Sequence, residues 1–189
     1  RHHRVMGDHA PLFYEEPLTL QNGEGVWLED ENGNRYLDLY NNVPCVGHSN
    51  PRVVANLAEQ AGKLNVHSRY LHEGVIDYVE RLVDLHHPGI QSAILGCSGT
   101  EATEMALTLA RTVTEKRGII CTDATYHGNS SLVGRLSGLP VGTERNGVRS
   151  ISTPQLFRPL AEGLSESELL QKHLDQLAET IDSFADSGG

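Results

Sequence analysis

The chain has 189 residues, with 15 Lys plus Arg against 25 Asp plus Glu and a formal net charge of −10. That acidic balance excludes a general nucleic-acid or anionic-membrane binder, and no apolar run approaches the roughly 20 residues needed to cross a bilayer. The length suffices for a sizeable core. Cys45, Cys97 and Cys121, widely spaced and without a CxxC pair, read as reduced, mostly buried thiols of a cytoplasmic protein.

Arg1-His2-His3-Arg4 is basic, but no apolar h-region follows, so it is not an intact secretory signal. Residues before about Leu20 read as an extended or loosely helical arm, broken by Pro11 and Pro17. Val26-Trp27-Leu28 and Tyr36-Leu37-Asp38-Leu39, separated by Asp30-Glu31-Asn32-Gly33-Asn34, form a predicted β-hairpin. Ser49-Asn50-Pro51 starts a helix whose inward stripe is Val54, Leu57, Ala58 and Ala61. A second helix follows Gly74, with Ile76, Val79, Leu82 and Val83 inward, and Pro88-Gly89 ends that segment.

Ala93-Ile94-Leu95-Gly96 then reads as a short strand that turns through Cys97-Ser98-Gly99-Thr100 directly into a helix. The first N–H groups of a helix lack intrahelical partners and carry partial positive charge, so such a turn is an anion site. Gly99 lets the backbone approach a ligand, and the Ser98 and Thr100 hydroxyls can donate hydrogen bonds, so a phosphate fits. The same residues also spell a capping box, Ser98-x-x-Glu101, which needs no ligand, and the two readings are compatible. The helix has an apolar stripe at Ala102, Met105, Ala106, Leu109 and Val113 and is closed by Gly118. Ile119-Ile120-Cys121-Thr122 is the next predicted strand, followed by Tyr126-His127-Gly128. Parallel strands deliver their loops to one carboxyl edge, so the anion turn and Tyr126-His127 can share a site.

From Ser130 to about Gly163, glycines and prolines predict loops around short elements. Ser165-x-x-Glu168 caps a last helix with the stripe Leu170, Leu174, Leu177, Ile181 and Phe184, and Ser187-Gly188-Gly189 is a loop or ragged end. Competing motifs fail. Gly142 to Gly147 has Walker-A glycine spacing, but Val148-Arg149 replaces Lys-Ser/Thr. Asp30-x-Asn32-x-Asn34 begins like a calcium loop, yet Arg35 stands where glycine is needed. Gly23-x-Gly25 lacks the third glycine of a dinucleotide fingerprint. The 10 histidines show no zinc spacing, so no metal site is expected.

Gly25-Val26-Trp27-Leu28-Glu29-Asp30, Gly33-Asn34-Arg35-Tyr36-Leu37-Asp38, Val46-Gly47-His48-Ser49-Asn50-Pro51, Ser98-Gly99-Thr100-Glu101-Ala102 and Tyr126-His127-Gly128 occur in one order and spacing. In them the sequence resembles the class III aminotransferases. Asn41-Asn42-Val43-Pro44 and Ser68-Arg69-Tyr70-Leu71-His72-Glu73 resemble the subgroup of alanine–glyoxylate aminotransferase 2 and the ethanolamine-phosphate phospho-lyases.

The resemblance implies an α/β, aspartate-aminotransferase-like architecture (fold type I of the pyridoxal-phosphate enzymes). It has a mostly parallel sheet flanked by helices and is incomplete in this chain. Residues 1–45 would be an N-terminal arm and hairpin of a smaller domain, and residues 46–189 the first part of the large coenzyme-binding domain. It implies pyridoxal 5'-phosphate as cofactor, its phosphate held by Ser98, Gly99 and Thr100. Tyr126 would stack on the pyridine ring, with His127 lining the pocket. Asn41, Asn42 and Tyr70 become candidates for the substrate mouth, although surface-loop packing fits each of them equally.

The implied reaction moves an amino group from an amine or amino acid to a keto acid or aldehyde, in a homodimer without nucleic-acid or membrane partners. A phospho-lyase acting on an amino-alcohol phosphate, or a catalytically incomplete fragment, is the alternative. The family's Schiff-base lysine and ring carboxylate lie beyond the position of Gly189. Lys63, Lys116 and Lys172, the lysines present, match neither the place nor the setting of that lysine. No catalytic residue is therefore assigned. The sequence reads as part of an aminotransferase that stops before its chemical half.

Overall fold

The computed structural model describes residues 2–7, 9 and 12–186. Pro11 and the Ser187-Gly188-Gly189 end lie outside the described residues. The chain divides into two compact units, residues 1–73 and 74–189.

The first unit contains a short helix α1 (His2–Met6), strands β1 (Leu20–Glu24), β2 (Trp27–Asp30) and β3 (Arg35–Leu37), and helix α2 (Pro51–Lys63). The expected hairpin is β2–β3, antiparallel, with Trp27 opposite Leu37 and Glu29 opposite Arg35. The Arg35 guanidinium lies over the Trp27 ring at 4.8 Å. β1, within a stretch not read as a strand, pairs antiparallel with β2 and completes a three-stranded sheet.

Asp30 organises the β2–β3 turn. Its carboxylate accepts hydrogen bonds from the Asn32 and Asn34 N–H groups at 2.9 Å, the Asn34 amide at 3.0 Å and the Tyr36 hydroxyl at 2.9 Å. These donors, the Asn34 side chain first, hold its pKa down to about 2. The residues that look like a cation loop thus serve to fold a turn.

Helix α2 starts as expected, with the Asn50 side-chain Oδ1 accepting from the Arg52 N–H and Pro51 in the first turn. Its expected inward stripe is exposed, Val54 and Leu57 included. A helical stripe is buried only where another element covers it, and among the described residues of this unit none does so.

The second unit holds α3 (Glu73–Asp84), α4 (Gly99–Thr114), β4 (Ile119–Thr122), β5 (Glu144–Arg145), β6 (Val148–Ile151) and α5 (Glu166–Asp186). On α3, Val79, Leu82 and Val83 are half-buried as expected, while Ile76 is exposed. β4 and β6 run parallel from Ile119↔Val148 to Thr122↔Ile151, and β5 pairs antiparallel with β6. The β5–β6 hairpin turns through Asn146 and Gly147, both at positive φ (51° and 79°), the type I′ geometry that matches strand twist. This hairpin occupies the stretch whose glycine spacing mimicked a phosphate loop. Cys121, Leu136, Leu139 and Val148 form the core, with Leu107 and Ile119 packed on it.

Four expectations are corrected in this unit. Residues 93–96 form no strand, because no described strand pairs with them and a strand exists only through its neighbour's hydrogen bonds. Helix α4 presents Leu107 to the core, whereas Leu109 and Val113 of the expected stripe are exposed. It ends at Glu115 in the left-handed conformation, with the Glu115 N–H donating to the Arg111 carbonyl, before Gly118 is reached. Helix α5 buries Leu169 and His173 and half-buries Gln176, Leu177, Thr180 and Phe184, leaving Leu170, Leu174 and Ile181 outside. Of its inward polar groups, the Gln176 side chain accepts the Ser152 N–H at 2.9 Å, whereas the His173 ring nitrogens find no partner among the described residues. Arg149 stacks on Phe184 at 4.0 Å and donates to the Ser183 hydroxyl at 2.6 Å.

Candidate functional site

The turn before α4 is built around its cap. The Ser98 hydroxyl oxygen accepts the Glu101 N–H at 3.2 Å, and the Glu101 carboxylate accepts the Cys97 N–H at 2.6 Å. The capping box therefore forms, shifted by one residue on its return bond. Among the described residues, the Gly99 and Thr100 N–H groups have no hydrogen-bond partner. The space a side chain at Gly99 would fill is empty. Two unconsumed donors at the positive end of a 16-residue helix, beside an open approach, suit an oxyanion.

The loop after β4 is brought to the same place. Asp123 ties the carboxyl ends of the parallel pair together, its Oδ1 lying 2.8 Å from both the Thr153 N–H nitrogen and hydroxyl oxygen. Those two donors lower the Asp123 pKa. The loop then turns at Ala124 (φ 50°) and Gly128 (φ 131°). The His127 N–H donates to the Ser137 hydroxyl at 3.1 Å, and the Gly138 N–H to the Thr125 carbonyl at 3.1 Å.

Gly128 lies against Thr100: a Cβ on Gly128 would sit 2.5 Å from Thr100 Oγ1 and 2.9 Å from its Cα. Two residues on, the Ser130 hydroxyl donates to the Glu104 carboxylate, one turn further along α4. Ser98, Gly99 and Thr100 are thus gathered with the loop carrying Tyr126 and His127. The Tyr126 ring is 75% exposed, so its face is not consumed by the core.

Asn41, Asn42 and Tyr70 belong to the first unit, and all are exposed. Asn41 is fixed by Asp38, whose Oδ1 accepts its N–H at 2.9 Å and its side-chain amide at 3.1 Å. Asp38 Oδ2 lies 2.7 Å from His48 Nε2. The Asn41 N–H and then His48 hold the Asp38 carboxyl well below the usual carboxylate range. The Tyr70 N–H donates to the His67 carbonyl at 3.0 Å. Sequence reasoning missed Asp38, Gly128, Ser130 and Glu104: the last three work through neighbours distant in the chain, and Asp38 joins nearby Asn41 to His48 without a spacing signature. Among the described residues, no cluster of His, Cys, Asp and Glu could hold a metal ion, and no helix is long and apolar enough to cross a membrane.

Comparison with known proteins identifies the family and the fold. The class-III aminotransferase family profile matches residues 13–181. An alanine–glyoxylate aminotransferase 2-like protein of Drosophila melanogaster is 35% identical over 133 residues, covering 70% of this chain and 27% of that protein. An ethanolamine-phosphate phospho-lyase homolog of Caenorhabditis elegans is 30% identical over 134 residues, covering 70% and 28%. The structure of an Arthrobacter phospholyase in complex with phosphoethanolamine superposes with a TM-score of 0.85 at 37% identity, over 100% of this chain and 44% of that one. The chain thus spans less than half the length of these relatives. Its fold is the corresponding part of the α/β fold-type-I architecture, and the chain belongs to the class III aminotransferases.

Proposed function

We propose that the whole polypeptide is a pyridoxal-phosphate-dependent aminotransferase that moves an amino group from an amine or amino acid to a keto acid or aldehyde. One observation carries this reading: two N–H groups without partners among the described residues, at Gly99 and Thr100, open a helix whose start abuts, at Gly128, the loop carrying Tyr126. Ser98, Gly99 and Thr100 would take the coenzyme phosphate, and Tyr126 would cover one ring face, with His127 beside it. Face contacts of that kind contribute about 1 kcal/mol beyond area burial. When bound, the coenzyme supplies an electron-withdrawing ring that stabilises negative charge on the substrate carbon. The residues present bind and orient it. Lys63 is paired with Glu59 at 2.5 Å, and Lys116 and Lys172 are exposed, so none is assigned a chemical role.

Asn41, Asn42 and Tyr70 are proposed to border the substrate mouth. A homodimer is part of the same proposal, as the family resemblance implies. Of the cysteines expected to be mostly buried, only Cys121 is, whereas Cys45 and Cys97 are exposed; all three are free, which supports a reducing compartment such as the cytoplasm. A domain division at residues 45/46 remains part of the proposal.

Thr100→Glu in the whole polypeptide tests the phosphate assignment. It places a carboxylate against the phosphate and should weaken coenzyme retention by roughly tenfold or more while leaving the melting temperature nearly unchanged. Equal retention in both proteins would refute the assignment.

A second reading is favoured by the Arthrobacter structure, which matches the full length of this chain with phosphoethanolamine bound. On that reading the enzyme eliminates phosphate from an amino-alcohol phosphate. Release of phosphate and aldehyde from phosphoethanolamine, without any keto acid, would replace transamination by elimination. Amino transfer to a keto acid with no phosphate release decides for the first reading.

A further inference from the structure

Two contacts join α4 to the loop after β4, and they act in opposite senses. Gly128 abuts Thr100 so closely that no side chain fits between them, which sets a minimum separation. A steric contact cannot prevent the two segments from parting. The hydrogen bond from the Ser130 hydroxyl to the Glu104 carboxylate can. Thr100 and Glu104 are four residues apart and share a helix face, so the two contacts sit one turn apart. Ser130 is itself anchored: its hydroxyl oxygen accepts the Val133 N–H at 3.4 Å, and Val133 is fully buried. Glu104 and Ser130 are both half-buried, where a hydrogen bond to a charged acceptor is stronger than at an open surface.

We infer that Glu104 and Ser130 are positioning residues. Their bond clamps the loop carrying Tyr126 onto α4, so that the phosphate turn and the ring-covering tyrosine hold one ligand at a fixed spacing. The inference rests on the coenzyme reading above. Neither residue touches the coenzyme. Each acts through Thr100 or Tyr126.

The test uses the whole polypeptide and compares Glu104→Ala, Ser130→Ala, their combination, and Ser130→Thr, which keeps the hydroxyl. Coenzyme dissociation constant, visible induced circular dichroism per bound coenzyme, and the melting temperature without coenzyme are measured on each. Loss of one charge-assisted hydrogen bond predicts roughly tenfold weaker retention in either alanine variant. The induced dichroism should fall with it, because the ring is no longer held in one orientation. The combined variant should be no worse than either single one, and Ser130→Thr should stay within about twofold of wild type.

Additive losses, equal losses in Ser130→Ala and Ser130→Thr, or losses that merely follow the melting temperature would overturn the clamp. Thr100→Glu separates the two readings. If it leaves retention intact, the phosphate site itself is wrong. If it abolishes retention while Ser130→Ala changes nothing, only the clamp is wrong.

Discussion

Replacing Gly128 by alanine probes the close approach on which the site depends. The added Cβ would lie 2.5 Å from Thr100 Oγ1, 2.8 Å from its Cβ and 2.9 Å from its Cα. A rotation about χ1 of Thr100 can move Oγ1 away, but it moves neither Cβ nor Cα. To regain an ordinary 3.4 Å contact the loop or the helix start must therefore shift by at least half an ångström. The φ of 131° adds backbone strain, since an L side chain rarely adopts it. Overpacking and strain together cost on the order of 2–5 kcal/mol if the loop stays in place. The loop is exposed at Tyr126 and can shift against the helix start to relieve the clash, which changes the spacing of the site, so much of that cost should appear as lost coenzyme binding. We expect Gly128→Ala in the whole polypeptide to weaken coenzyme retention by roughly 10- to 100-fold while lowering the melting temperature by only a few degrees. Wild-type retention in this variant would refute the close approach, and a wholesale loss of folding would place the contact in the core rather than the site.

Asp30 has its pKa held down to about 2, so its ionised form stabilises the folded state. That contribution is complete above the ordinary carboxylate pKa of about 4 and disappears as the pH falls towards 2. Asp30→Asn should flatten acid unfolding in that window, followed by fluorescence of the lone tryptophan, Trp27 in β2, and an unchanged acid slope would count against the turn's role. His173 is 8% exposed and neither ring nitrogen has a hydrogen-bond partner among the described residues. His173→Leu should therefore raise stability by about 1 kcal/mol in urea titrations, and a loss of that size would show that an unseen partner matters. Glu101→Gln keeps the acceptor for the Cys97 N–H and removes a negative charge from the anion turn. Coenzyme affinity should rise by roughly two- to fivefold in dilute buffer, an effect that fades at about 0.5 M salt, and no change in dilute buffer would argue against an anion at this turn.

The parts of this structure that the sequence announces are those settled within a few residues. Asn50-Pro51, Ser98-x-x-Glu101 and Ser165-x-x-Glu168 are helix starts because side chain and N–H are three residues apart or fewer, and all three form. Which helical face is buried is settled elsewhere. Helix α5 turns Gln176 inward although Leu170 and Leu174 offer an apolar stripe, because its side chain accepts the Ser152 N–H just beyond β6. Helix α4 turns Leu107 inward because the core it meets lies over that flank. Residues 93–96 have the composition of a strand, but strand formation needs a neighbour and none is supplied. Asn146-Gly147 is a strong local hairpin signal, overlooked beside the more conspicuous glycine spacing from Gly142. The gathering of Ser98–Thr100 with Tyr126 is foreshadowed by the rule that parallel strands share a carboxyl edge. The contact that fixes their spacing, Gly128 on Thr100, has no spacing signature at all.

An acidic chain that grips a dianion needs an explanation, and the geometry supplies one. Long-range repulsion from the excess carboxylates is screened beyond about 10 Å at 0.1 M salt, so only the nearest groups decide the local potential. On the proposed reading those groups are the Gly99 and Thr100 N–H donors, which cannot titrate, set against the Glu101 carboxylate, whose charge is partly offset by the Cys97 N–H. Their direction is set by the helix axis, and the axis is set by the Ser98 cap and by α4's contacts with the loop. Side-chain cations would attract phosphate from many directions; amides at a capped helix accept it from one. The position of the phosphate then determines where an attached ring must lie. A tyrosine loop held at a fixed distance can cover that ring only if the spacing between loop and helix is itself rigid. Binding orientation here is therefore a property of the contact between two backbone segments, more than of any single side chain that meets the ligand.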